Sequence, residues 1–280
     1  MVKEMKKVFA VTTVAALAIG MTGCGGSSDS ASADASGVKE IKVVLCSGQA
    51  PYAYEDESGN PAGFDYEVLK KIDEKLDQYT FDYCVMDQDA ALVGTQQGTY
   101  DLATASFFKT ASREETYLCS DAFNYGFCVV VSPQGSGISS WEDCEGKTMV
   151  PVTTGDGLYS VYTTLTEKYP DVRVDFEPSS AFIPYAEQFN GLNEGRWDFA
   201  LEIEGAYSSI ADQFSFTLDE TDYVGAGECV YLMNKDQTQL QQDINGAIKE
   251  LISEDALASL SEEYLGKDNY AIARELGYID

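Results

Sequence analysis

Arg113 is one of only four arginines in the chain, with Arg173, Arg196 and Arg274. It lies in the stretch Ala105–Asp121, just past an apolar run, Asp101–Ala105, that reads as a buried strand. In a chain of formal net charge −29, a guanidinium held at a strand end implies an anionic group to grip. Its fork fits a carboxylate in bidentate fashion. The competing assignment is a surface ion pair with Glu114 or Glu115. Two further turns bear on the choice. Thr153-Thr154-Gly155-Asp156-Gly157 opens a helix, where backbone N–H groups make a ready anion site. Asp198–Glu204 brings acid, Glu202 and Glu204, to the end of an apolar strand. Each is equally consistent with a plain role, the first as an ordinary strand-to-helix connection and the second as first-turn charge on the next helix. Taken together, one cation, one set of amide donors and one acidic group suit a zwitterion, carboxylate plus ammonium.

The elements that must position these groups follow from hydrophobic spacing. Ile41–Cys46 reads as a buried strand and Ser47–Pro61 as loop, with Pro51-Tyr52-Ala53-Tyr54 inside it. Phe64, Val68, Leu69, Ile72 and Leu76 then share one helical face. A strand over Tyr79–Met86, a short helix over Ala90–Gln97 and a strand over Asp101–Ser106 complete a βαβαβ run, which predicts a mostly parallel, doubly wound sheet. After a strand at Tyr125–Ser132 the same order restarts. Strands are expected at Lys147–Val152, Val172–Phe176 and Phe199–Ile203, with helices at Leu158–Tyr169 and around Tyr185, Phe189 and Leu192. A strand at Glu228–Met233 precedes two amphipathic helices, and the tail from Lys267 has room for one more. Two α/β lobes of about 100 residues each fit the length. In such sheets a ligand sits outside the carboxyl ends of the strands, where all three turns lie.

Composition narrows the function classes. A hydrophobic fraction of 44% with 12% aromatic residues is ample for a packed core. The negative charge argues against nucleic acid as a partner, because phosphates need a basic surface. Lys3, Lys6 and Lys7 followed by the apolar run Val8–Gly20 form an export signal, too short for a membrane span of about 20 residues. Met21-Thr22-Gly23-Cys24 resembles the lipobox of bacterial lipoproteins, with Met21 in place of the usual leucine; the resemblance implies cleavage before Cys24 and a lipid on it. A plain secreted protein is the alternative. Gly25–Gly37 is a flexible tether by composition. Removing residues 1–23 takes away three lysines and one glutamate, leaving 15 basic and 46 acidic side chains. The remaining six cysteines include no Cys-x-x-Cys pair and the chain has no histidine. That argues against a zinc site and against any Ser-His or Cys-His mechanism. Most of the cysteines read as small buried apolar residues.

Several segments, in order, resemble the polar amino-acid solute-binding proteins of bacteria, extracellular solute-binding protein family 3. Gly63-Phe64-Asp65-Tyr66-Glu67 is similar to the Gly-Phe-Asp opening of their first helix. Lys109-Thr110-Ala111-Ser112-Arg113, followed by Cys119-Ser120-Asp121, is similar to their Thr-x-x-Arg and Phe-Ser-Asp segment. Trp141–Lys147 resembles their Asp-Leu-x-Gly-Lys element, Gly195-Arg196-Trp197-Asp198 their Gly-Arg-x-Asp, and Tyr264-Leu265-Gly266 their closing aromatic-Phe-Gly. The resemblance covers about residues 39–266. It implies a two-lobed periplasmic-binding-protein fold of type II, with two hinge crossovers near Phe123–Phe127 and Asp222–Gly227. Residues 39–124 and 226–280 would form lobe 1 and residues 125–225 lobe 2, after a signal peptide over 1–23 and a tether over 24–38. It also implies a ligand that closes the lobes and a closed form that docks on an ABC permease, with no cofactor.

Site roles follow from the same resemblance. Arg113 holds the ligand α-carboxylate, helped by backbone at Asp156 and Gly157, with Thr154 in the same turn. Ser106 offers a backbone carbonyl to the α-ammonium, and an acid after the lobe-two strand completes that contact. The strict match for the acid falls on Ile203, so Glu202 or Glu204 stands in, Glu202 preferred. Tyr52 joins the candidates from the loop before the first helix. Five positions depart from the family's habit. Phe108 replaces a hydroxyl residue, Gln49 and Gln88 replace aromatic residues that sandwich the ligand, and Cys46 lies where some members carry aspartate. Asp156 replaces a threonine, and its carboxylate would either repel a ligand carboxylate or cap its helix. The expectation is a monomeric, lipid-anchored, non-catalytic receptor for an amino acid or small derivative. The alternatives are an enzyme on the same fold, with a glutamate such as Glu202 as general base, and a sensor or adhesion lipoprotein.

Overall fold

Residues 37–279 are described by the computed structural model; the expected export signal, Cys24 and the expected tether up to residue 36 lie outside them. The first strand, β1 (Lys39–Cys46), has its last four residues buried in succession, as a strand covered on both faces requires. A small hairpin, β2 (Tyr54–Glu55) and β3 (Pro61–Ala62), lies within the expected loop and leads into α1 (Phe64–Asp73). Then come β4 (Tyr79–Met86), α2 (Gln88–Gln96), β5 (Leu102–Phe108), α3 (Ala111–Thr116) and β6 (Leu118–Cys119). The long β7 (Asn124–Pro133) carries the chain to α4 (Gly157–Lys168), α5 (Tyr185–Asn193), β8 (Ala200–Ile203) and β9 (Leu218–Glu220). It returns through β10 (Gly225–Met233) to α6 (Thr238–Ser253), α7 (Ala256–Leu265) and α8 (Asn269–Glu275). No helix among the described residues is long and apolar enough to cross a membrane.

One eight-stranded sheet, in the order β4-β1-β5-β10-β7-β8, runs through both lobes. β1 pairs in parallel with β4 and β5, as the βαβαβ pattern predicts. β10 is antiparallel to β5 and to β7, and the two long strands pair from Gly225 opposite Cys128 to Cys229 opposite Asn124. This ladder is the double crossover between the lobes. In the second lobe β8 and β9 pair antiparallel to β7. The strands expected at Lys147–Val152 and Val172–Phe176 are reduced to single parallel bridges, Thr148 with Asp175 and Met149 with Phe199. The segment from Val172 to Phe176 alternates between half-buried and exposed residues at the sheet margin, so a full ladder there would cover little apolar surface.

The core of the first lobe stacks Phe123 on Tyr231, ring centroids 4.0 Å apart. In the second lobe Phe189 packs on Tyr185 and Tyr207. The tail forms α8, capped by Asp268, whose carboxylate accepts from the N–H groups of Tyr270 and Ala271. Asn269 is buried and donates to Asn124 Oδ1 and the Tyr125 carbonyl, which docks the last helix onto the start of β7. All six cysteines among the described residues are free thiols and five are buried.

Candidate functional site

Ser106, at the carboxyl end of β5, has a φ of 47°, the left-handed region that a non-glycine residue adopts only when its surroundings impose it. Asp65 imposes it. This fully buried carboxylate accepts from the Ser106 backbone N–H, from Ser106 Oγ at 2.7 Å and from Thr104 Oγ1 at 2.6 Å. It sits in the first turn of α1, where the helix dipole favours negative charge. Burial nevertheless pushes its pKa up to about 6, against the pull of those three hydrogen bonds. Gly63 makes the approach possible. Its φ is 113°, and a Cβ there would stand 2.3 Å from the Tyr52 carbonyl oxygen.

Arg113 lies in α3, a short helix capped by Thr110, whose Oγ1 accepts from the Arg113 N–H at 3.2 Å. Its side chain is buried, which rules out the surface pair with Glu114 or Glu115; Glu114 pairs with Lys109 at 3.5 Å instead. Arg113 Nη1 donates to the Phe108 carbonyl at 2.6 Å and the guanidinium lies over the Phe107 ring, 4.8 Å from its centroid. Nη2 points across the cleft to Asp156 Oδ2 at 3.9 Å. Asp156 thus does two things. Oδ1 caps α4 by accepting from the Leu158 N–H at 3.0 Å, and Oδ2 faces the Arg113 guanidinium.

Phe108 takes a different part from the hydroxyl residue it replaces. Its ring covers Gly126 of β7, Gly227 of β10 and Gly157 at the start of α4, where an added Cβ would stand 2.4, 2.6 and 2.3 Å from Phe108 carbons. Gly126 and Gly227 are partners in the crossover ladder. Phe108 is therefore a spacer between the hinge and the second lobe.

Glu202 lies in β8 opposite Val129, fully buried, and neither carboxyl oxygen has a hydrogen-bond partner. Burial pushes its pKa up to about 8, with the Gln188 amide opposing and the charge of Asp156 adding to the rise. Gln49 donates to Gln88 at 3.1 Å on the first-lobe side. Seven of the twelve ligand-binding candidates, Gln49, Gln88, Ser106, Phe108, Arg113, Asp156 and Glu202, line one cavity of about 30 Å³ between the lobes, room for one or two water molecules.

The other five are elsewhere. Gly157 is packed under Phe108, and Cys46 is buried at the end of β1, where burial pushes its thiol well above the ordinary value. Thr154 is exposed. Tyr52 donates its hydroxyl across the cleft to the Glu204 carbonyl at 2.8 Å, and the Glu204 carboxylate pairs with Lys267. Phe182 and Tyr185, which also line the cavity, were not among the candidates; Tyr185 carried only a helix-stripe signal. Asp65 was missed as a brace, although an acid beside Phe64 on an otherwise apolar helix face was a visible signal.

Comparisons with known proteins address the family and the fold. A family model for the bacterial extracellular solute-binding proteins, family 3, matches residues 41–267. The chain is 25% identical over 256 residues to the L-cystine-binding protein TcyK of Bacillus subtilis (strain 168), covering 89% of this chain and 92% of that protein. It is 26% identical over 273 residues to the probable amino-acid-binding protein YxeM of the same organism, covering 95% and 97%. Among solved structures, the probable amino-acid ABC transporter extracellular-binding protein ytmK of Bacillus subtilis superposes with a TM-score of 0.69 at 25% identity, over 82% of this chain and 99% of that one. A putative L-cystine ABC transporter protein from Listeria monocytogenes superposes with a TM-score of 0.66 at 24% identity, over 83% and 98%. With a two-lobed fold, a double crossover and a cleft set between the lobes, the chain belongs to the bacterial extracellular solute-binding proteins of family 3.

Proposed function

We propose that the cleft binds an amino acid or small amino-acid derivative and delivers it to the permease of an ABC importer. Arg113 takes the α-carboxylate, while the Ser106 carbonyl and Glu202 take the α-ammonium. The observation that carries this reading is the pairing of a buried guanidinium with a buried, unpartnered carboxyl on opposite walls of one cavity. Such groups cost stability unless a partner meets them, and a zwitterion meets both. The printed names of the relatives, amino-acid- and cystine-binding proteins, support the ligand class. Thermal melting with the twenty amino acids and L-cystine tests it, because ligand that binds only the native form raises the midpoint. A rise for one or a few is expected; no rise for any of them contradicts the ligand class.

The elevated pKa of Glu202 gives the enzyme reading one point of support, since a general base needs such tuning. The other ionisable groups lining the cavity are Arg113, Asp156 and Tyr185, and none is hydrogen-bonded to Glu202. We favour binding without turnover, and product formed from bound ligand would reverse that choice. In the same reading the protein is a monomer held to the outer face of the membrane by a lipid on Cys24, with residues 24–38 as tether. An unmodified Cys24 in a bacterial host contradicts the anchor.

A further inference from the structure

With both of its carboxyls ionised, the cleft does not balance for a simple zwitterion. Arg113 is the cation of the cavity wall, and two carboxyls face it from the second lobe, Asp156 and Glu202. Asp156 Oδ2 already stands 3.9 Å from Arg113 Nη2, while Glu202 is fully buried with both oxygens unpartnered. A ligand carboxylate brought to Arg113 arrives beside Asp156, so like charges meet unless a second positive group comes with it. In the ligand-free cleft burial keeps Glu202 protonated at neutral pH. Once a ligand ammonium seats against it and ionises it, a neutral zwitterion, with one positive and one negative charge, leaves one of the two wall carboxylates uncompensated in a water-poor site. An acidic amino acid leaves two.

We propose that the cleft selects an amino acid with a second positive charge on its side chain, so that one carboxylate meets Arg113 while two cationic groups meet Asp156 and Glu202. This rests on the amino-acid reading above and deepens it. The walls suit such a ligand beyond their charge. Phe182, Tyr185 and Leu158 flank the cavity and can cover the methylene stem of a long basic side chain. A cation seated against Glu202 favours the ionised carboxylate, since opposite charge within hydrogen-bond reach stabilises the charged form.

L-Arginine and L-citrulline make a direct test, because they share a shape and differ by one charge. In calorimetric titrations of the purified protein, L-arginine or L-lysine is expected to bind at least about tenfold more tightly than L-citrulline, the scale set by one lost charge pairing. L-Glutamate is expected to give no heat of binding. In Glu202→Gln and Asp156→Asn the preference for arginine over citrulline should shrink toward one. Citrulline, glutamine or cystine binding as tightly as either basic amino acid would overturn the charge class while leaving the amino-acid reading intact. No binding by any amino acid removes both. A preference for arginine that persists unchanged in the two variants overturns the role given to these carboxyls. Where a variant does not fold, the arginine-to-citrulline ratio of the unaltered protein decides.

Discussion

Each charged group of the site is set by what touches it. Arg113 is fixed on one side by the Phe108 carbonyl and the Phe107 ring, so that Nη2 is the end turned to the cavity. Glu202 is fully buried, and burial raises its proton affinity. The ordinary value of 4.5 rises to about 8, so between those pH values the folded chain holds a proton that the unfolded chain releases. Stability is therefore fully present below the lower value and lost as pH rises through the upper one. Asp65 acts in the same direction over the lower window, from 3.8 to about 6. Between pH 6 and 8 the melting temperature of the ligand-free protein should fall, by up to about 1.4 kcal/mol of stability per pH unit, and Glu202→Gln should flatten that fall. Equal slopes for the two proteins would contradict the assignment. Arg113 and Ser106 were legible in the sequence because strand-end position and family motif coincide there. Asp156 was legible only as two alternatives, capping or repulsion, because two oxygens on one carboxylate can serve both. Asp65 was visible as an acid on an apolar helix face, but its role was not, since it depends on the left-handed turn at Ser106, which sequence spacing does not encode.

At the scale of elements, closure of the lobes depends on how nearly α4 can approach β5. The start of α4 lies against Phe108, and Gly157 is the point of contact. Gly157→Ala places a methyl group 2.3 Å from Phe108 Cβ, an overpacking that costs about 1–3 kcal/mol where the structure cannot yield. The lobes can yield by separating. The variant should therefore show a larger radius of gyration by solution scattering and weaker ligand binding, with secondary structure unchanged by circular dichroism. An unchanged radius and affinity would show that Phe108 gives way instead. The first lobe's elements were legible because long apolar runs and helical stripes recur there without interruption. In the second lobe, the segments around Thr148 and Asp175 carry strand-like composition but form single bridges. The pairs β2–β3 and β6 are two residues per strand and β9 is three, too short to show a period. α3 is six residues with a mostly polar sequence, positioned by its Thr110 cap rather than by an apolar face.

The described residues form two lobes on one sheet, joined by the β7–β10 ladder and touching again across the cleft. Besides Arg113 and Asp156, Tyr52 reaches the Glu204 carbonyl, Ser209 Oγ reaches the Ala50 carbonyl at 2.9 Å, and Lys267 pairs with Glu204. Lys267 and Glu204 are both partly exposed, so solvent screens their attraction and Lys267→Met should lower stability by less than about 1 kcal/mol in urea titrations. A larger loss would mean that the pair is a principal strut between the lobes. The two-lobed α/β fold was legible because the α/β pattern starts twice in one chain. The contacts that span the cleft were not, since they join residues up to 159 positions apart through a closure that neither segment specifies alone. In the proposed function Arg113 is the carboxylate clamp of the ligand-binding cleft. Calorimetric titration of the unaltered protein and of Arg113→Ala with the amino acid that raises the melting midpoint most tests it directly. Loss of a charge-assisted hydrogen bond of about 1.5–3 kcal/mol should weaken binding about 10- to 100-fold, while an unchanged affinity in a folded variant would contradict this role for Arg113.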